Sequence, residues 1–324
     1  MRAVVTGGTG FVGGHLVDLL LEKKYDIVNI SRGITQNSLD KKITHVTADI
    51  NSPDTLVDII KKDDVVFHVA ALLGSAAASE EEYNRVNIDG TINVLNRAIE
   101  SGAKTFIYVS TFAGMGPVGS LDKPMTELTP CKPDNIYGAS KYKAEERIKE
   151  ISSGKITVIV LRPNIIFGPG FNPATAAAKL FSNMQKKNFI IIGNTENYFP
   201  MCYVKNLTHA MVHFAEHHNS GFHTYLVADG EPVKFKETLK MIKDEFGINK
   251  RIIHIPYFLP ITVAHLMVFF GKVFHFNPLV APYIIKAIAK NGFYYDMSKT
   301  IREGFNPPFT LQTAIKETAK SFIS

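Results

Sequence analysis

The chain has 324 residues, of which 45% are hydrophobic and 20% charged, with a formal net charge of +6. That size allows a large core in one big domain or two intimately joined ones. The lysines are scattered rather than gathered on a basic face with interleaved aromatics, which argues against nucleic acid. The two distant cysteines, Cys131 and Cys202, offer neither a disulfide framework nor a zinc site and leave a reducing cytoplasm as the default.

An apolar strand, Ala3 to Thr6, runs directly into glycines 7, 10 and 13 and then into a helical pattern from Gly14 to Lys23. Met1 already begins this strand, so no signal peptide is expected ahead of it. A strand, a glycine turn and a helix in this order form a cradle for a dinucleotide pyrophosphate. Glycine lets the backbone turn tightly and approach the phosphate, while the helix aims its first N–H groups at the anion. Strands follow at Asp26 to Ile30, Ile43 to Thr47 and Val65 to Ala70, with a helix expected over 53–60. A helix from about Glu80 to Glu100 begins with Glu80, Glu81 and Glu82, acidic residues suited to an amino-terminal turn. The strand Thr105 to Ser110, a helix from Tyr137 to Ile151 and the strand Thr157 to Arg162 complete six strands before residue 163. This alternation predicts an α/β fold with a doubly wound, mostly parallel sheet. After Gly168-Pro169-Gly170 the rhythm loosens, as in a smaller cap assembled from more than one segment.

Two later segments carry alternatives. Residues 255–271 are nearly all apolar and 272–276 continue them, but with Pro260 and His265 inside it the 255–271 run is shorter and more interrupted than the roughly 20 residues of a membrane span. Their composition reads first as a buried helix of the cap, and second as a membrane-docking or lipophilic-substrate surface. His209, His213 and His217 recur every fourth residue and would line one helix face. No carboxylate or cysteine completes a coordination set, so ordinary neutral histidines and no metal are expected.

Tyr137 and Lys141, four apart on a helix, lie on one face. An ammonium about 4 Å from a phenol at an effective dielectric near 20 is worth about 4 kcal/mol, roughly three pH units, which would bring the phenol toward neutrality. Such a tyrosine exchanges a proton with a substrate oxygen while hydride moves between the substrate carbon and a nicotinamide.

Together, TGGTGFVG at 6–13 and YGASK at 137–141 resemble the extended short-chain dehydrogenase/reductase family, also called the NAD-dependent epimerase/dehydratase family. Its other landmarks fall in order over essentially the whole chain: TADI at 47–50, HVAA at 68–71, NIDGTIN at 87–93 and LRPNIIFGPG at 161–170. The resemblance implies a Rossmann domain over residues 1–170 plus about 195–228, with a substrate cap from about 171–194 and 229–324. It implies that Gly7, Thr9, Gly10, Phe11, Val12 and Gly13 hold the pyrophosphate, and that Asp49 and Ile50 meet the adenine. Val69, Ala70, Ala71 and Val109 then lie along the cofactor, with Pro163 and Ile165 beside the nicotinamide. Catalysis falls to Thr111, Tyr137 and Lys141, the last also holding the nicotinamide ribose. Asn87 is implied as both a cofactor neighbour and a support for a proton relay.

At the end of the second strand an acidic residue would hold the ribose of NAD, but Ser31 and Arg32 stand there, and arginine's planar fork of donors suits a 2′-phosphate. NADP(H) is therefore favoured over NAD. Phe112 and Ala113 after Thr111 supply no acid for a sugar dehydration, and Phe199 occupies the place where nucleotide-sugar epimerases carry a diphosphate-binding arginine. Residues 193–207 are similar to the hydroxysteroid dehydrogenase and dihydroflavonol reductase branches. The expectation is an oxidoreductase acting on a lipophilic carbonyl or secondary alcohol. A nucleotide-sugar 4-epimerase with tightly bound NAD, and a non-catalytic NADP-sensing protein, are the alternatives. The resemblance also implies a homodimer through two long helices, including the one that bears Tyr137.

Overall fold

The structure is a computed structural model and describes residues 1–33, 42–73, 78–116, 122–173, 175–185, 189–192, 195–230, 232–249, 252–256, 258–274 and 294–323. Strands β1 (Arg2–Thr6), β2 (Asp26–Ser31), β3 (Thr44–Thr47), β4 (Val65–His68), β5 (Thr105–Val109) and β6 (Thr157–Pro163) are those read from the alternating pattern. Beyond them, β7 (Ile165–Phe167) pairs with β9 (Met201–Tyr203), and β8 (Phe189–Ile192) pairs with β11 (Ile252–Ile255). Strand β10 (Phe222–Val227) returns to the main sheet, whose order is β10-β6-β5-β4-β1-β2-β3, parallel throughout. All of β4 and β5 is buried, which is why a two-sided parallel sheet reads as continuous apolar runs. The strand order reverses between β1 and β4, so the crevice at their carboxyl ends is the natural ligand position.

Strand alternation divides the core. Val5 and Phe67 face Leu16, Leu20, Met211 and Phe214, beneath α1 (Phe11–Glu22) and a later helix, Val204–Glu216. Val4, Val66 and Phe106 face Leu95 and Ile148 on the other side. That side carries α2 (Glu80–Asn84), a π-helical turn (Arg85–Asp89), α3 (Gly90–Glu100) and α4 (Ile136–Ser152). A capping box between Ser79 and Glu82 starts α2, and the Asn135 side chain accepts from Gly138 N to start α4. A separate aromatic cluster, including Phe167, Phe171, Phe181 and Tyr203, joins α5 (Ala176–Gln185), α6 (Val204–Glu216), α7 (Phe235–Glu245) and the carboxy-terminal segments.

Two sequence expectations change. The helix over 53–60 is only a 3-10 turn, Pro53–Leu56, because Val57 is extended and Asp58 has φ of 60°. Helix α8 (Phe258–Phe274) is not a buried element: Phe258 is 63%, Leu259 50%, Val263 53% and Leu266 50% exposed, while Ala264 is buried. At 100° per residue these four side chains share one face. Tyr257 and residues 275–276 of that apolar segment, like residues 193–194, lie outside the described residues. Among the described residues no helix is long and apolar enough to cross a membrane. Two short helices, α9 (Ser298–Arg302) and α10 (Leu311–Ile323), close the chain.

Candidate active site

A cleft of about 580 Å³ opens at the carboxyl ends of the central strands. Its floor is the turn between β1 and α1. Gly7 has φ of +76°, and a Cβ there would sit 2.9 Å from the Ala70 backbone. A Cβ on Gly13 would overlap the Gly7 carbonyl, while one on Gly10 would find only that same oxygen within 4 Å. The turn is thus tight beneath and open above, and α1 begins with no side-chain cap and no acidic residue in its first turn. This arrangement fits the pyrophosphate of a dinucleotide. Thr9, Phe11 and Val12 complete this wall. Phe11 contacts Phe171, and His15 Nε2 donates to the Pro169 carbonyl at 2.9 Å, tying the loop after β7 to the glycine turn.

Toward β3 the cleft is lined by Ser31, Arg32, Asp49 and Ile50. Arg32 is exposed, Ser31 Oγ donates to the Gly33 carbonyl, and Asp49 Oδ1 accepts from both Asn51 N and Nδ2. Val69, Ala70, Ala71, Val109, Pro163 and Ile165 line its middle, and Thr111, Tyr137 and Lys141 its far end. One expected site residue does not reach it. Asn87, at the π-helical turn, is fully buried: its Oδ1 accepts from Leu72 N at 2.8 Å and its Nδ2 donates to Leu72 O and Ser140 Oγ. It clamps the loop after β4 to α4, and these bonds occupy its amide.

At the far end, Thr111 Oγ1 accepts from Ala113 N and is hydrogen-bonded to Tyr137. The expected electrostatics reverse here. Burial pushes the Tyr137 phenol up to about 12, with the Thr111 bond acting the other way. The Lys141 ammonium lies 4.1 Å from the centroid of the Tyr108 ring, and burial brings it down to about 7 against the pull of Glu145. Tyr108 in turn stacks on His68, which bridges Thr6 and Thr91 and is held down to about 3 by burial and by Lys141. Desolvation of both groups outweighs the phenol–ammonium attraction inferred from spacing alone.

Beneath Lys141, Glu145 receives Arg162 Nε at 3.1 Å to both oxygens and Nη2 at 2.6 Å, and Ser110 Oγ donates to the same carboxylate. Nothing in the local sequence pattern marks this buried trio. The same is true of Asn164, Asn172 and Thr175, which line the cleft from loops. Phe199 packs at a tilt on Phe235, ring centroids 4.6 Å apart. His213 Nε2 donates to Glu303 O and stacks on His217, which lies past the end of α6. Among the described residues no group of three metal-binding side chains occurs.

Residues 3–228 match the model of the NAD dependent epimerase/dehydratase family. The chain belongs to this family. It is thereby an NAD(P)-dependent enzyme. It is similar to an Arabidopsis thaliana 3beta-hydroxysteroid-dehydrogenase/decarboxylase, 28% identical over 349 residues covering 98% of this chain, and spans 61% of that protein's length. It is also similar to a Vibrio cholerae UDP-glucose 4-epimerase, 29% identical over 99% of this chain and 95% of the relative. Among solved structures, a Thermotoga maritima UDP-glucose 4-epimerase with UDP-glucose superposes with a TM-score of 0.80 at 21% identity, covering 100% of this chain and 99% of that one. That likeness establishes the fold.

Proposed function

We propose that the protein is an NADP(H)-dependent dehydrogenase/reductase that moves hydride to or from a carbonyl or secondary-alcohol carbon of a lipophilic substrate. The observation that carries this reading is the lining of the cleft. Among its described residues the charged side chains are Arg32 and Asp49 toward β3 and Lys141 at the far end, whereas Leu72, Leu73, Val86, Ile166, Ala176 and Ala177 give it apolar walls. Such a wall suits a neutral, apolar substrate better than a diphosphate. The exposed apolar face of α8 supports the same substrate class, and with it contact between this face and a bilayer surface that delivers the substrate.

When bound, the cofactor supplies or accepts the hydride. Arg32 would pair with its 2′-phosphate, the glycine turn would hold the pyrophosphate and Lys141 the nicotinamide ribose. Tyr137, protonated at neutral pH, donates its proton to the carbonyl oxygen as that oxygen gains charge, and Thr111 supplies a second hydrogen bond. In the oxidative direction Tyr137 must first lose its proton, so oxidation gains on reduction as pH rises. Asn87 holds the Leu72 loop and Ser140 in place. Free Cys131 and Cys202 are consistent with a reducing cytoplasm, and we take the long helices α3 and α4 as the faces of a homodimer.

The second reading, a 4-epimerase with resident NAD, draws on the similarity to the Vibrio cholerae protein. Calorimetric titration with NADPH and NADH, followed by turnover against 3β-hydroxysteroids, other lipophilic ketones and UDP-glucose, separates the two. NADPH preference with lipophilic turnover is the expected result. Resident NAD and a response to UDP-glucose alone would replace it with the epimerase. Tyr137→Phe is expected to keep NADPH affinity and lose turnover by a factor on the order of 100 to 10,000.

A further inference from the structure

Thr6, His68 and Tyr108 stand side by side in register on β1, β4 and β5. Each lies two residues beyond Val4, Val66 or Phe106, so all three face the side that carries α3 and α4. The His68 ring is fully buried and stacks on both Phe106 and Tyr108, with centroids 5.7 and 5.9 Å away. Each of its nitrogens meets a threonine: Nδ1 is 2.8 Å from Thr6 Oγ1, and Nε2 is 2.9 Å from Thr91 Oγ1 on α3.

The outer partners fix the protons. Thr91 donates its hydroxyl proton to the Asn87 carbonyl at 2.7 Å, so toward His68 it can only accept, and Nε2 carries the proton. Burial and the nearby Lys141 keep the ring neutral, which leaves Nδ1 a bare acceptor for the Thr6 hydroxyl. Thr6 Oγ1 accepts in turn from Ala70 N at 3.3 Å. The run Ala70, Thr6, His68, Thr91, Asn87 is therefore satisfied in a single direction, and a buried polar network of that kind rigidifies what it joins. At one end it sets Ala70 against the Gly7 turn, where a Cβ on Gly7 would lie 2.9 Å from the Ala70 backbone. At the other end is the π-helical turn, whose Asn87 side chain holds Leu72 and Ser140, and Ser140 Oγ donates to the Tyr137 carbonyl at 2.8 Å.

From this geometry we infer that His68 is a positioning residue, which through Thr6 sets the spacing between the Ala70 strand end and the glycine turn and so shapes the cradle that takes the dinucleotide. It does not itself line the cleft. Thr91 and the π-helical turn are the support against which it is held. A side chain that only filled space between the sheet and α3 would need neither threonine. This assignment rests on the nucleotide-binding reading of the cleft.

The test is calorimetric titration of the full chain with NADP⁺, with urea unfolding alongside, for His68→Phe, His68→Gln and His68→Asn. Phenylalanine keeps a ring and loses both bonds. The glutamine amide reaches the level of Nε2, and the asparagine amide that of Nδ1, where its oxygen can accept from Thr6. NADP⁺ affinity is expected to fall about 10-fold in the phenylalanine and glutamine variants, the range of one to two net hydrogen bonds, and asparagine is expected to recover most of that loss although it is the smallest of the three. A space-filling role ranks the variants by volume, with asparagine weakest. That order, or an unchanged NADP⁺ affinity in all three while the urea midpoints fall, would overturn the assignment. Should the variants not fold, nitrogen-15 NMR of the imidazoles in the unmodified chain at pH 7 decides: a neutral His68 with its proton on Nε2 is expected, and a proton on Nδ1 would overturn the assignment. Failure of the unmodified protein to bind any dinucleotide would instead overturn the nucleotide reading, and the assignment with it.

Discussion

Replacing Arg162 by leucine strips Glu145 of its counter-charge in a place water does not reach. The two side chains are 8% and 5% exposed, and the carboxylate takes N–H groups from Arg162 at 2.6 and 3.1 Å as well as the Ser110 hydroxyl. Breaking a buried pair from one side leaves an uncompensated charge and costs about 3–5 kcal/mol. Removing both charges with similar apolar volume is often nearly neutral. Arg162→Leu and Glu145→Leu singly should each lose about 3–5 kcal/mol in urea unfolding followed by circular dichroism, a probe that does not need the tryptophan this chain lacks. The double variant, Glu145→Leu with Arg162→Leu, should recover most of that loss. The coupling of the two sites is then several kcal/mol. Losses that add to within about 0.5 kcal/mol would refute the claim that Arg162 exists chiefly to hold Glu145.

The depressed Lys141 makes a pH prediction. Its folded value near 7 lies below the unfolded 10.5, so between these limits the unfolded chain holds more protons and stability contributed by this group rises with pH. Lys141→Met should remove that rise, read as the difference in urea midpoint between the two proteins from pH 7 to 10; parallel curves would count against a neutral buried lysine. Arg32→Ser should weaken NADPH by about 10-fold or more in calorimetry while leaving NADH unchanged, and an equal loss for both would reduce Arg32 to a surface charge. Gly13→Ala forces a Cβ onto the Gly7 carbonyl and should cost about 1–3 kcal/mol in thermal or urea unfolding together with dinucleotide affinity.

The features legible in the sequence are those whose physics is local. The glycines at 7, 10 and 13 and the strand before them report a backbone requirement confined to one turn, and the fully apolar β4 and β5 report burial on both faces. Tyr137 and Lys141 were legible as a pair on one helix, yet their electrostatics were not. The ring beneath Lys141 is Tyr108, contributed by β5, and the environment that lifts Tyr137 comes from burial and Tyr83, with the Thr111 bond acting the other way. Spacing gives the distance along a helix; it carries nothing about the dielectric around it. The same limit governs α8. Composition records how apolar a segment is, but only the arrangement of its neighbours decides whether Phe258 and Leu266 meet a core or the outside.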